Sequence, residues 1–154
     1  MKYLDWRESM QIKEILKFDY NYAEYIITDG KYDVICLCLS VPLPNNKVPI
    51  KGMEVDMIYP FTFDTIDIRM NNEKKEFLIQ KKNSHFEYFL RGMIINKEKA
   101  LLKIDGFVIC LEKDFEEGFN DHYQIGDFIE FKADRLDCEL KGYPEDHLYR
   151  NALH

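Results

Sequence analysis

Twice in this chain an Asp-Gly pair stands shortly before the same apolar word. Asp29-Gly30 precedes Val34-Ile35-Cys36-Leu37, and Asp105-Gly106 precedes Val108-Ile109-Cys110-Leu111. Gly52 and Gly126 follow the two turn glycines by 22 and 20 residues, and each opens an alternating segment. A short Asp-Gly loop between apolar runs signals a β-hairpin, because both central residues of a type I′ turn need positive φ. Each unit therefore reads hairpin turn, buried strand, long loop, glycine, alternating strand. Two readings follow. Either one duplicated unit forms two halves of a barrel with both long loops at one rim, or two ordinary hairpins share common strand vocabulary. Both predict consecutive antiparallel strands.

The rest of the chain agrees with a β-rich reading. It has 10 Tyr, 11 Phe and 16 Ile but only four Ala, and β-branched and aromatic side chains suit a pleated, half-buried surface. Strands are predicted over residues 10–18, 21–28, 32–40, 52–58, 63–70, 77–80, 86–96, 100–104, 107–112, 127–132 and 135–140. Residues 32–40 are apolar on both faces, which marks a central strand. Pro42, Pro44, Asn45, Asn46 and Pro49 make residues 41–51 a loop. Pro144-Glu145-Asp146 fixes φ and puts negative charge in a first helical turn, so a short C-terminal helix is expected within 141–154.

At 154 residues the chain has the size of one domain. It divides into an N-terminal arm over 1–9, a β-barrel or sandwich over 10–140, and a C-terminal tail or short helix over 141–154. The openings Gly52-Met53-Glu54-Val55 and Gly126-Asp127-Phe128-Ile129-Glu130-Phe131 are similar to the glycine-then-strand openings of OB-like small barrels. That resemblance covers about a fifth of the chain, and what it implies is ligand binding on a barrel face rather than any one chemistry. The expected fold is thus all-β, mainly antiparallel, a small OB-like barrel or sandwich.

The longest purely apolar run is Val34 to Leu39, too short to span a bilayer, and the first residues lack the apolar core of a signal peptide. A cytoplasmic location is expected. Frequent Ile, Lys and Asn point to a low-GC bacterial genome. In a reducing compartment Cys36, Cys38, Cys110 and Cys138 read as small buried hydrophobes. They lie inside apolar runs rather than on the tight turn of a zinc knuckle. No metal or other cofactor is expected. His85, His122, His147 and His154 are scattered, so no cysteine nucleophile has a recognisable base. Glu54 and Asp56 share a strand face, and Asp64 and Asp67 lie near a turn; both pairs read as solvated carboxylates. No phosphate-binding glycine loop, dinucleotide fingerprint, HExxH or GxSxG occurs.

Charge is unevenly spread. The net charge is −7, yet residues 69–103 are basic between two acidic flanks. Two binding surfaces follow from this. The acidic segment with Glu112, Asp114, Glu116, Glu117 and Asp121 suits a basic protein partner. The basic segment sets Lys74, Lys75, Lys81, Lys82 and Arg91 among Phe77, Phe86, Tyr88 and Phe89. That is how OB-like barrels hold single-stranded nucleic acid. The acidic flanks weigh against broad phosphate binding. The favoured expectation is a non-catalytic protein-interaction module, comparable in size and charge to the acidic immunity proteins that block toxins. Single-strand binding is the alternative, and an enzyme of unknown reaction the second alternative. Membrane association is not expected.

Overall fold

A computed structural model describes residues 10–19, 21–39, 48–63, 67–111 and 122–140. These form an all-β structure of eleven strands. In chain order they are β1 (Gln11–Phe18), β2 (Ala23–Thr28), β3 (Asp33–Cys38), β4 (Val55–Phe61), β5 (Arg69–Asn71) and β6 (Phe77–Gln80). β7 (Tyr88–Asn96), β8 (Leu101–Ile104), β9 (Phe107–Cys110), β10 (Phe128–Ala133) and β11 (Arg135–Leu140) complete it. The sheet runs β1-β2-β3-β11-β4-β9-β8-β7-β10-β5, with β6 added to β7.

Two expectations need correction. The sheet does not close into the predicted barrel; it is mainly antiparallel, as expected, but includes two parallel contacts. β3 meets β11 in parallel at Leu37 and Asp137, and β4 meets β9 in parallel at Ile58 and Ile109. Local periodicity specifies which face a residue takes, not which strand it pairs with. The OB-like pattern is not reproduced, because it rested on two glycine openings that specify only how a strand begins. The N-terminal arm, the predicted C-terminal helix and the five acidic residues from Glu112 to Asp121 lie outside the described residues.

Face by face, the core follows the sequence closely. Ala23, Tyr25 and Ile27 of β2 are buried while Glu24, Ile26 and Thr28 are half-buried. β3 is central between β2 and β11, as its two apolar faces require. In β1, Ile12 is buried but Leu16 is not, because register shifts after Ile12 and Ile15 break the alternation. β4 runs three residues beyond the expected Ile58 boundary, through buried Pro60 to Phe61, opposite Leu136 and Arg135.

The two Asp-Gly turns differ in length. Thr28 pairs with Asp33, so the first hairpin has a four-residue loop, whereas Ile104 pairs with Phe107 across Asp105-Gly106 alone. In the longer loop the Asp29 carboxylate takes over the turn's bonding, accepting from Lys31 N and Tyr32 N, both at 2.8 Å. Its second oxygen accepts from Gly106 N at 2.8 Å, and Lys31 Nζ lies 3.4 Å from Asp105. The two turns therefore bond to each other.

The glycines at the next strand openings behave alike. Gly52 and Gly126 have φ of +89° and +96°, a region that favours glycine. Gly52 N donates to Ile12 O, and Ile12 N to Met53 O; Gly126 N donates to Ile94 O, and Ile94 N to Asp127 O. Thus β1 bonds the start of β4 as β7 bonds the start of β10.

All four cysteines are free and buried. Cys36 and Cys38 on β3 lie beside Cys138 on β11. A hydrogen bond donated by the Cys138 thiol to Cys36, together with full burial, holds that thiol well above its ordinary range. We expect native protein to give almost no reaction with a disulfide reagent and all four thiols after denaturation. Rapid modification of the native protein would contradict this packing.

Candidate functional site

The basic hairpin β6–β7 builds one open sheet face with β10 and β5. Cross-strand register sets Phe77, Arg91, Glu130 and Arg69 in one row and Ile79, Phe89 and Lys132 in the next. The alternate residues, Leu78, Tyr88, Leu90 and Phe131, are buried. Tyr88, predicted among the surface aromatics, instead turns inward. Its hydroxyl accepts from Ile35 N at 2.8 Å and burial pushes its pKa up to about 12. The outer rows line a cleft of about 610 Å³, with Asp67, Thr62 and Asp134 on its rim.

Every cation of this face that lines the cleft or stacks on it has an acidic neighbour. Arg91 lies 4.6 Å over the Phe77 ring, 2.9 Å from Glu73 and 3.6 Å from Glu130. Arg69 pairs with Asp67, and Lys132 with Glu87. Lys81 lies 3.6 Å from the same Glu87. Lys74, Lys75 and Lys82 are exposed in the loops flanking β6. The sequence-predicted cations thus gather at one hairpin, but Arg91 and Lys81 are already engaged.

Glu87 reports on this network. The hydrogen bond from Lys132, then that from Ser84, holds its carboxyl below the ordinary value of 4.5. A depressed folded-state pKa stabilises the fold above the unfolded value, and that contribution is lost as pH falls through the folded one. Melting temperature should therefore drop on acidification below about pH 4.5, and Glu87→Gln should flatten that drop. An unchanged profile would show that the network contributes nothing measurable.

A second cleft of about 590 Å³ adjoins the first at Asp134. Tyr22, Leu37, Leu39, Phe63 and Phe86 wall it, with Glu24, Asp134 and Arg135 at its edge. Phe63 is 81 % exposed, with contacts to Asp134 and Phe61. Its N–H donates to Asp134 Oδ2 at 2.9 Å, and Phe61 meets its ring edge-on with centroids 5.1 Å apart. Arg135 lies 4.1 Å over Phe61 and pairs with Asp137 at 2.6 Å. Asp134, at the break between β10 and β11, donates its own N–H to Phe61 O. This cleft was not legible as a site, because its walls come from five separate stretches of chain. Only Phe86 stood out, as one of the aromatics of the basic segment.

Among the described residues no group of three or more His, Cys, Asp or Glu side chains is placed to hold a metal ion. No described helix is long and apolar enough to cross a membrane. His85, at 3.2 Å from Glu24, is set against a carboxylate rather than a nucleophile. Compared with protein-family models, with curated proteins and with solved structures, the chain matches none of them.

Proposed function

We propose that the chain is a non-catalytic protein-interaction module of a bacterial cytoplasmic protein, binding a basic partner in the manner of an acidic inhibitor or immunity protein. The observation that carries this reading is Phe63. A large aromatic ring exposed to water, on a backbone bonded to Asp134 and with Phe61 against it, suits an anchor of the kind that dominates protein interfaces. Ile79 and Phe89, at 52 % and 39 % exposed, extend the apolar surface into the neighbouring cleft. The net charge of −7 favours a basic partner, and Glu112, Asp114, Glu116, Glu117 and Asp121 would steer it.

Matched bonds at Gly52 and Gly126, and the bonded turns at Asp29 and Asp105, support a further part of the reading. The chain is then two similar halves derived from one β unit.

Single-stranded nucleic acid is the rival, favoured by the Phe77 and Phe89 rings on an open sheet face. Against it, Arg69, Arg91 and Lys132 already have acidic partners beside those rings. The deciding test compares two variants against a partner recovered by pull-down. Phe63→Ala should weaken that complex by about tenfold or more. Neutralising Glu116, Glu117 and Asp121 together should slow association and reduce its salt dependence. A salt-sensitive gel shift with single strands, abolished by replacing Lys74, Lys75, Lys81 and Lys82, would sink the protein-binding reading.

A further inference from the structure

We infer that the cleft walled by Tyr22, Phe63 and Phe86 is a subsite for one lysine or arginine side chain of the partner. The inference rests on the protein-binding reading above and names the chemistry of its anchor point. Three aromatic residues line one cavity, and aromatic faces attract cations through their quadrupole. Two carboxylates border the same cavity. Asp134 takes part in no ion pair among the described residues, while Glu24 lies 3.2 Å from His85 and opposite Lys17 in the β1–β2 register. Among the residues lining the cavity the one cation, Arg135, is already matched by Asp137 through two contacts of 2.6 and 3.1 Å. The cavity is therefore apolar in its walls and acidic at its edge.

Local chemistry already shows the pairing. Lys17 sets its ammonium 4.7 Å from the Tyr22 ring centre, and Arg135 stacks on Phe61 at 4.1 Å. A basic side chain entering from a partner would lay its methylenes along Leu37 and Leu39 and bring its charge to Asp134 and Glu24. An acidic side chain would meet two carboxylates. A purely apolar one would desolvate them without a partner, which is costly. Charge and shape together select a long cationic side chain, and snorkelling suits lysine and arginine to such a site.

The test uses the full chain, isotopically labelled, titrated with hexa-arginine, hexa-lysine and hexa-glutamate peptides. Amide shifts should move at Tyr22, Leu37, Phe63, Phe86 and Arg135 with either basic peptide, and not with hexa-glutamate. Phe63→Ala and Phe86→Ala should each weaken binding by about five- to tenfold. Asp134→Asn, which keeps an oxygen to accept from Phe63 N, should weaken it by about threefold or more. Met70→Ala, exposed on β5 and lining neither cleft, should leave it unchanged. Proton spectra of each variant check that the fold is kept. If the shifts instead fall beside the acidic segment, at His122 to Asp127, and Phe63→Ala binds as wild type does, the subsite is overturned. The protein-binding reading then survives. If neither basic peptide binds while oligothymidylate does, both are overturned.

Discussion

Gly92→Val is expected to destabilise the protein by about 3 kcal/mol, with Gly92→Ala costing about 2. Gly92 lies in β7 where that strand leaves its pairing with β6 and takes up β8. A Cβ there would sit 2.8 Å from Ile104 Cγ1 and 3.0 Å from the Lys103 carbonyl oxygen. Ile104 is fully buried and cannot swing aside, and the carbonyl belongs to a strand. The backbone conformation is not the obstacle, since φ at Gly92 is not positive. Crowding alone makes the difference, so the penalty should grow from alanine to valine. Urea unfolding reads it directly: the midpoint should fall while the slope stays constant. Equal stability of all three proteins would mean that β7 and β8 do not approach as described.

Ile109→Ala should cost about 4 kcal/mol, from lost burial and the cavity left behind. Ile109 of β9 pairs with Leu102 on one side and with Ile58 of β4 on the other, and all three are fully buried. It therefore joins the strands of the second Asp-Gly unit to the last strand of the first. Because the contact bridges both parts of one sheet, its loss should lower the stability of the whole rather than free one portion. Near-ultraviolet and far-ultraviolet signals should move together to lower urea. An additional mutation, Ile58→Ala, should cost less in the Ile109→Ala background than alone, since the two side chains share one interaction. Two separated transitions would contradict a single cooperative core.

Strand positions were legible because burial writes itself into alternation. Ala23, Tyr25 and Ile27 show it, as do the two apolar faces of β3. What periodicity does not carry is the identity of a strand's neighbour. β3 lies beside β11 because of tertiary fit at Leu37 and Asp137, and nothing local announces that. Turn length was only half legible. Asp-Gly correctly marked both hairpins, but Asp29 makes a wider loop by bonding Lys31 and Tyr32 through its side chain. Pro60 was harder still, since a proline normally argues against a buried strand. The candidate surface was legible as composition and not as geometry. Lys81 and Arg91 do gather at the β6–β7 hairpin, but only coordinates reveal Glu87 and Glu73 beside them. The second cleft left no trace in sequence, because Tyr22, Phe63 and Asp134 meet only through the folded sheet.

The parallel contact between β3 and β11 has a consequence for how the chain comes into being. Leu37 and Asp137 are a hundred positions apart. During synthesis at about 5–20 residues per second, one edge of β3 must wait about 5–20 s for its partner to emerge. That edge carries Cys36, Leu37 and Cys38, all buried in the finished protein. A nascent chain thus presents an oily, unpaired strand edge to its surroundings, a known template for wrong pairing. Ribosome-bound truncations ending before residue 135 should recruit chaperones that the finished protein does not. The interval between the emergence of β3 and that of β11 is therefore the hazardous one.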